Sequence, residues 1–199
     1  MIYEERKSIR KYKPDMIPED TLREILEAGR LAPSAKNRQP WKFLIAAGPK
    51  KSEILDAMEK GIARTKKSPF MPKRFKKGLI SAENTLRIMR EAPVLVLVMN
   101  THSGDPYGLN FAGKRVSEIH DSLSIGAAVE NMCLRATELG IGSLWIANTV
   151  YAHREITEAL GTKDQLSCAV IFGYPDEKPA GRPRRTFEEI VEFLGTGSE

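Results

Sequence analysis

Arg6, Ser8 and Arg10 stand at alternate positions in "ERKSIRKYKP", residues 5–14, with Lys7 among them. On an extended chain alternate side chains point the same way, and on a helix residues four apart share a face. Either geometry brings two guanidiniums together. A guanidinium carries a permanent charge and paired planar donors, so the chemistry on offer is the grip of an oxyanion such as phosphate. A second alternating pair, Arg182 and Arg184, sits in "GRPRR" near the other end. Between them lies "LAPSAKNRQPW", residues 31–41, where Pro33 and Pro40 stiffen the chain around Ser34, Asn37 and Gln39. Short neutral donors and acceptors held between rigid points suit the edge of a flat heterocycle. Each stretch alone also has a plainer reading: a charged N-terminal face, a solvated basic linker, and a polar loop after a helix.

The common side-chain catalytic sets are missing. The three histidines, His102, His120 and His153, are not spaced as paired metal ligands, and there is no Cys-x-x-Cys, so no metal site is expected. Nor is there a Gly-x-Ser-x-Gly elbow, a Walker phosphate loop or a Gly-x-Gly-x-x-Gly after a strand. If the chain is an enzyme, a bound cofactor is expected to carry the chemistry. Cys133 and Cys168 lie far apart in apolar surroundings, "ENMCLRA" and "LSCAVIF", and read as buried reduced thiols.

The elements that must position these residues follow from periodicity. "IPEDTLREILEAGRLA" has helical spacing at Leu22, Ile25, Leu26 and Gly29, with Pro18 suited to its first turn. "WKFLIAAG" reads as a strand closed by Gly48-Pro49, and "KKSEILDAMEKGIAR" as an amphipathic helix. "APVLVLVMN" is a continuous aliphatic run, the pattern of a strand buried on both faces. "HDSLSIGAAVENMCLRATELG" is a long central helix, "IGSLWIANTV" and "LSCAVIFGYP" are strands, and "HREITEALG" is a short helix between them. The tail "RTFEEIVEFLG" opens on a capping box, Thr186 to Glu189. Four strands and five or six helices, irregularly alternating, support one α/β or α+β layered domain over residues 1–199. Two stretches read as lids or inserts, at about 60–85 and 101–117. The first is strongly basic, with eight Lys or Arg and no acid over residues 60–82.

The 199 residues carry a formal net charge of +5 and a pI of about 9.2. That balance attracts anions without choosing among them. No secretory signal is visible, and the longest apolar run is far short of the roughly 20 residues of a membrane helix, so a soluble, cytoplasmic protein is expected. Only Phe70 and Phe75 interleave the basic run and no recognition motif accompanies it, so nucleic acid is not an expected partner.

Taken in order, "ERKSIRKYKP", "APSAKNRQPWKF", "LGIGSLWIAN" and "FGYPDEKPAGRPRRTFEEIV" resemble the FMN-dependent nitroreductase family over nearly the whole chain. The resemblance implies an α+β fold with a mixed central sheet flanked by helices, and an intertwined homodimer with FMN at its interface. It implies an oxidoreductase that takes hydride from NADH or NADPH at flavin N5 and passes it to an acceptor such as a nitroaromatic or a quinone. An FMN protein that senses or stores without turnover is the alternative. By position, Arg6, Lys7 and Ser8 would hold the phosphate and ribityl chain, and Arg182 and Arg184 would complete the phosphate site. Arg10 would sit by flavin N1 and O2, where a cation about 4 Å from arriving negative charge contributes about 4 kcal/mol at an effective dielectric near 20. Pro33, Ser34, Ala35 and Asn37, assisted by Gln39, would reach the flavin of the partner subunit. Ala147 and Asn148 match a position where a backbone amide points at N5, though many members carry glycines there. No side chain is assigned as catalytic. The resemblance leaves the physiological acceptor and the choice of NADH or NADPH open.

Overall fold

The run "APVLVLVMN" forms a strand, Val94–Asn100, buried at all seven positions. A computed structural model describes residues 1–69, 73–102 and 112–195, with the backbone alone for 73–76 and 112–114. In chain order the elements are α1 (Ile2–Glu5), α2 (Glu19–Arg30), β1 (Trp41–Ala46), α3 (Gly48–Lys67), α4 (Lys73–Glu91), β2 (Val94–Asn100), α5 (Ala112–Glu138), β3 (Gly142–Ile146), α6 (His153–Leu160) and β4 (Gln165–Gly173). Single 3-10 turns cover Ala35–Asn37 and Asn148–Ala152. Among the described residues no helix is long and apolar enough to cross a membrane.

The strands lie in the order β1-β2-β4-β3, and each neighbouring pair is antiparallel. The parallel component of the sheet is a single bridge, Ser8 to Ser143, along the outer side of β3. Successive side chains of a strand point to opposite faces, and this divides the core in two. Leu95, Leu97 and Met99 cluster with Ile54 and Met58 of α3, Met89 of α4 and Ile156 of α6. Val94, Val96 and Val98 cluster instead with Ile25 of α2 and with Ile125, Val129 and Met132 of α5. The sheet is therefore covered by helices on both faces, which is why its central strand reads as unbroken aliphatic sequence rather than as alternation.

Several local expectations shift once the chain is folded. Gly48-Pro49 opens α3, with Pro49 in its first turn, rather than closing β1. Most of the basic stretch is helical: it runs to the end of α3 at Lys67 and resumes with α4 at Lys73. Two of its cations are paired on the surface, Arg64 with Glu155 and Lys66 with Glu83. Most of the second suggested insert, residues 103–111, lies outside the described residues. In the tail the capping-box bonds form, Thr186 N to Glu189 Oε2 at 2.8 Å and Glu189 N to Thr186 Oγ1 at 3.4 Å, but only one turn follows. A short helix is stable when its apolar face is packed, and Phe187, Ile190, Phe193 and Leu194 all remain exposed here.

One buried cation ties two helices together. Lys51 of α3 is only 8% exposed, and its ammonium donates to the carbonyls of Met89 (3.3 Å), Arg90 (3.0 Å) and Ala92. These are the carbonyls that the end of a helix leaves without internal partners. Lys51→Met fills the same space but strands them. It is expected to cost about 2–3 kcal/mol, lowering Tm by about 5–10 °C for a chain of this size. Thermal denaturation beside Lys50→Met, whose side chain is exposed, checks this. Equal melting of the two variants rules the anchor out.

Candidate functional site

The N-terminal arm is extended, not helical, across Ser8 and its neighbours. Ile9 is buried, its N–H donates to the Ser143 carbonyl (2.9 Å), and Tyr12 is buried beside it with its hydroxyl donating to the Ile9 carbonyl (2.8 Å). Burying Ile9 turns the alternate residues Ser8 and Arg10 the other way. The arm is zipped to the segment after β4: Lys13 N donates to the Tyr174 carbonyl and Asp176 N to the Lys11 carbonyl. The two ends of the chain are thereby held side by side.

Between them opens a cavity of about 510 Å³. Arg6, Lys7, Ser8 and Arg10 line one wall, and Arg182 and Arg184 line the other. Five cations thus face one space, with Glu4 the single carboxylate among its lining residues. Such a donor set suits a doubly charged phosphate ester: guanidiniums for paired oxygens, an ammonium, and a hydroxyl. Three contacts shape it. Arg6 Nε pairs with Glu130 of α5 at 3.1 Å, fixing the guanidinium against the central helix. Glu177 accepts the backbone N–H of Arg10, and Arg10 Nη1 donates to the Ser8 carbonyl at 3.0 Å. Gly181 lies close to the Lys7 ammonium, where a Cβ would stand 3.3 Å from Nζ, so the two walls approach each other here.

The remaining predicted residues do not line this cavity. Pro33, Asn37 and Gln39 are exposed, and Ser34 and Ala35 half-buried, on the loop between α2 and β1. Gln39 N donates to Ser34 Oγ (3.0 Å) and Gln39 Nε2 to Asn37 Oδ1 (3.1 Å), so the loop closes on itself. Ala147 is exposed just after β3. Asn148 is turned toward α4, where its amide donates to Ser81 Oγ (3.2 Å) and Thr85 Oγ1 (3.1 Å).

The residues that hold these groups were not foreseen from the sequence. Glu177, Glu130, Ser81 and Thr85 left no local signal. Asp121 and Ser124 of α5 did leave one. Asp121 stands four residues before Ile125, on the helix's buried stripe, and a carboxylate there calls for a partner. That partner is Arg38, which binds both carboxylate oxygens.

The fold and the sequence point the same way. The sequence profile of the nitroreductase family matches residues 3–174. The chain belongs to the nitroreductase family. Iodotyrosine deiodinase of Thermotoga neapolitana is 31% identical, over 97% of this chain and 97% of its own. Nitroreductase NfnB of Mycolicibacterium smegmatis is 24% identical, over 94% of this chain and 89% of its own. Among solved structures, a Desulfovibrio desulfuricans protein crystallised in complex with FMN superposes with a TM-score of 0.70 at 26% identity, covering 96% of this chain and 94% of that one. The α+β architecture with helices on both sheet faces is accordingly the nitroreductase fold. Both cysteines are buried thiols: burial pushes Cys133 up to about 11 and Cys168 up to about 12, which keeps them protonated at neutral pH.

Proposed function

We propose that the chain is an FMN-dependent oxidoreductase that takes hydride from NADH or NADPH and reduces a second small molecule, of which nitroaromatics and quinones are the leading class. The observation that carries this reading is the convergence of Arg6, Lys7, Ser8, Arg10, Arg182 and Arg184, drawn from both ends of the chain, on one cavity. The solved relative holding FMN supports the cofactor. Bound FMN supplies the hydride-accepting ring. The chain's own side chains bind and orient it: Arg6, Lys7, Ser8, Arg182 and Arg184 at the phosphate end, Arg10 at the ring edge.

Two apolar faces exposed among the described residues support a homodimer. One is the α5 stripe of Val116 (51% exposed), Ile119 (52%) and Leu123 (70%), and the other is the tail with Phe193 (70%) and Leu194 (83%). Apolar surface of this kind on a chain marks an association site. In that dimer Pro33, Ser34, Ala35, Asn37 and Gln39 are assigned to the partner subunit's flavin, and Ala147 and Asn148 to the neighbourhood of N5.

Purified protein is expected to be yellow, or to become so with FMN, and to oxidise NADH or NADPH when a nitroaromatic or quinone is supplied. Iodotyrosine belongs in the same acceptor screen because a relative of matching length is an iodotyrosine deiodinase. Protein that takes up no FMN overturns the proposal. Bound FMN that never turns over with NADH or NADPH in the presence of acceptors leaves the sensing or storage reading instead.

A further inference from the structure

The loop between α2 and β1 is strained. Lys36 (φ 53°), Asn37 (φ 53°) and Gln39 (φ 45°) all occupy the left-handed region, and they are the described non-glycine residues that do so. Asparagine visits that region readily, whereas lysine and glutamine have no local reason to. Strain of this kind persists only where the surrounding structure over-determines the backbone, and it gathers at functional sites. Three such residues within four positions call for a clamp.

Asp121 of α5 is 1% exposed and lies beneath the loop. Its Oδ1 and Oδ2 each accept from Arg38, from Nε and Nη2, both at 3.1 Å. A guanidinium has no acceptor, so the 3.2 Å contact between Arg38 Nη2 and His102 Nδ1 is also a donation from Arg38. One turn along α5, Ser124 Oγ accepts the Ala35 N–H at 3.2 Å while donating to the His120 carbonyl at 2.8 Å. From the end of β2, Thr101 N donates to the Pro40 carbonyl at 2.8 Å. Ala35, Arg38 and Pro40 are thus each tied to α5 or to the residue just after β2. The tied loop presents Asn37 and Gln39 outward.

We propose that Asp121 is a positioning residue: through the bidentate pair with Arg38 it holds residues 34–39 in the strained geometry with which the loop engages FMN. This rests on the reading of the loop as part of the cofactor site. Asp121 itself touches no cofactor and takes no part in electron transfer. Its role is to keep a backbone that would otherwise relax out of the left-handed region.

The test is Asp121→Asn in the full chain. Asparagine keeps the volume but removes the charge and one acceptor. Tryptic cleavage after Lys36 in the FMN-free protein is expected to quicken about 10-fold, and the FMN Kd to rise about 10-fold. Adding Lys36→Gly, which relieves the strain at a position with no assigned cofactor contact, is expected to recover at least 2-fold of the lost affinity. Merely structural damage to α5 is not repaired by a glycine in a loop. If Asp121→Asn does not fold, Arg38→Gln serves in its place, since Arg38 is 38% exposed. Unchanged cleavage after Lys36 overturns the clamp. Faster cleavage with an unchanged FMN Kd overturns its link to the cofactor, as does a loss of affinity that Lys36→Gly leaves uncorrected. Wild-type protein that binds no FMN defeats the reading of the site instead, and the cleavage measurement still judges the clamp.

Discussion

Arg182→Ala combined with Arg184→Ala is expected to raise the FMN dissociation constant about 100-fold while leaving the melting temperature of the FMN-free protein within a degree of wild type. Both side chains are exposed and line only the cavity, so the fold does not depend on them. Each is assigned a charge-assisted hydrogen bond to the phosphate. At the lower end of the usual range, about 1.5 kcal/mol apiece, the pair contributes about 3 kcal/mol, which is roughly two decades in affinity. Arg10→Ala is the contrasting variant. Its guanidinium is assigned to the ring edge, so flavin reduction by NADH or NADPH, followed by stopped-flow absorbance, is expected to slow more than retention weakens. Equal effects of the two variants on both steps defeat this division of labour. Unchanged FMN affinity in the double variant defeats the phosphate assignment itself.

Gly173→Val is expected to lower Tm by about 5–10 °C and to weaken FMN binding at least 10-fold. A Cβ at Gly173 would stand 2.6 Å from Pro93 Cδ and 2.8 Å from Tyr12 Cδ1. Both neighbours are rings, and Tyr12 is also pinned by its bond to the Ile9 carbonyl, so neither swings away as a flexible side chain would. Relief must come from shifting both Pro93, just before β2, and the N-terminal arm that carries Tyr12. Overpacking of this kind costs about 2–3 kcal/mol, and about 2–4 °C of Tm per kcal/mol for a chain of this size. The arm carries Ser8 and Arg10, so the same displacement opens the cavity. Gly126→Ala is the control, because its Cβ would meet nothing closer than Trp145 at 3.6 Å. Thermal melting and FMN titration of both variants settle the matter. A Gly173→Val protein that melts and binds like the control rules out the wedge.

The four strands and most of the helices were legible from local pattern, because hydrophobic periodicity is a property of each segment alone; α4 was not, because its basic first turns read as an insert. The run at Val94–Asn100 announced a doubly covered strand, and the spacing of Leu22, Ile25 and Leu26 announced α2. The basic wall of the cavity was legible for the same reason. Arg6, Ser8 and Arg10 share a face of any extended segment, and the fold needed only to keep the arm extended. The tail shows the limit of local pattern: its capping box forms, yet no helix follows without a surface to pack on.

Tertiary structure alone decided which polar groups far apart in sequence meet. Glu177 meets Arg10 across a separation of 167 residues, and Asp121 meets Arg38 across 83. A buried carboxylate must find a cation, but nothing within its own segment says which one. The sequence by itself determined the order of the four strands and most of the helices, and which residues form the basic wall, since these follow from spacing along the chain. The antiparallel order β1-β2-β4-β3, the closing of the two chain ends around one cavity and the clamp beneath the strained loop were decided only in three dimensions. They depend on contacts between segments far apart in sequence, and those exist only once the core has packed.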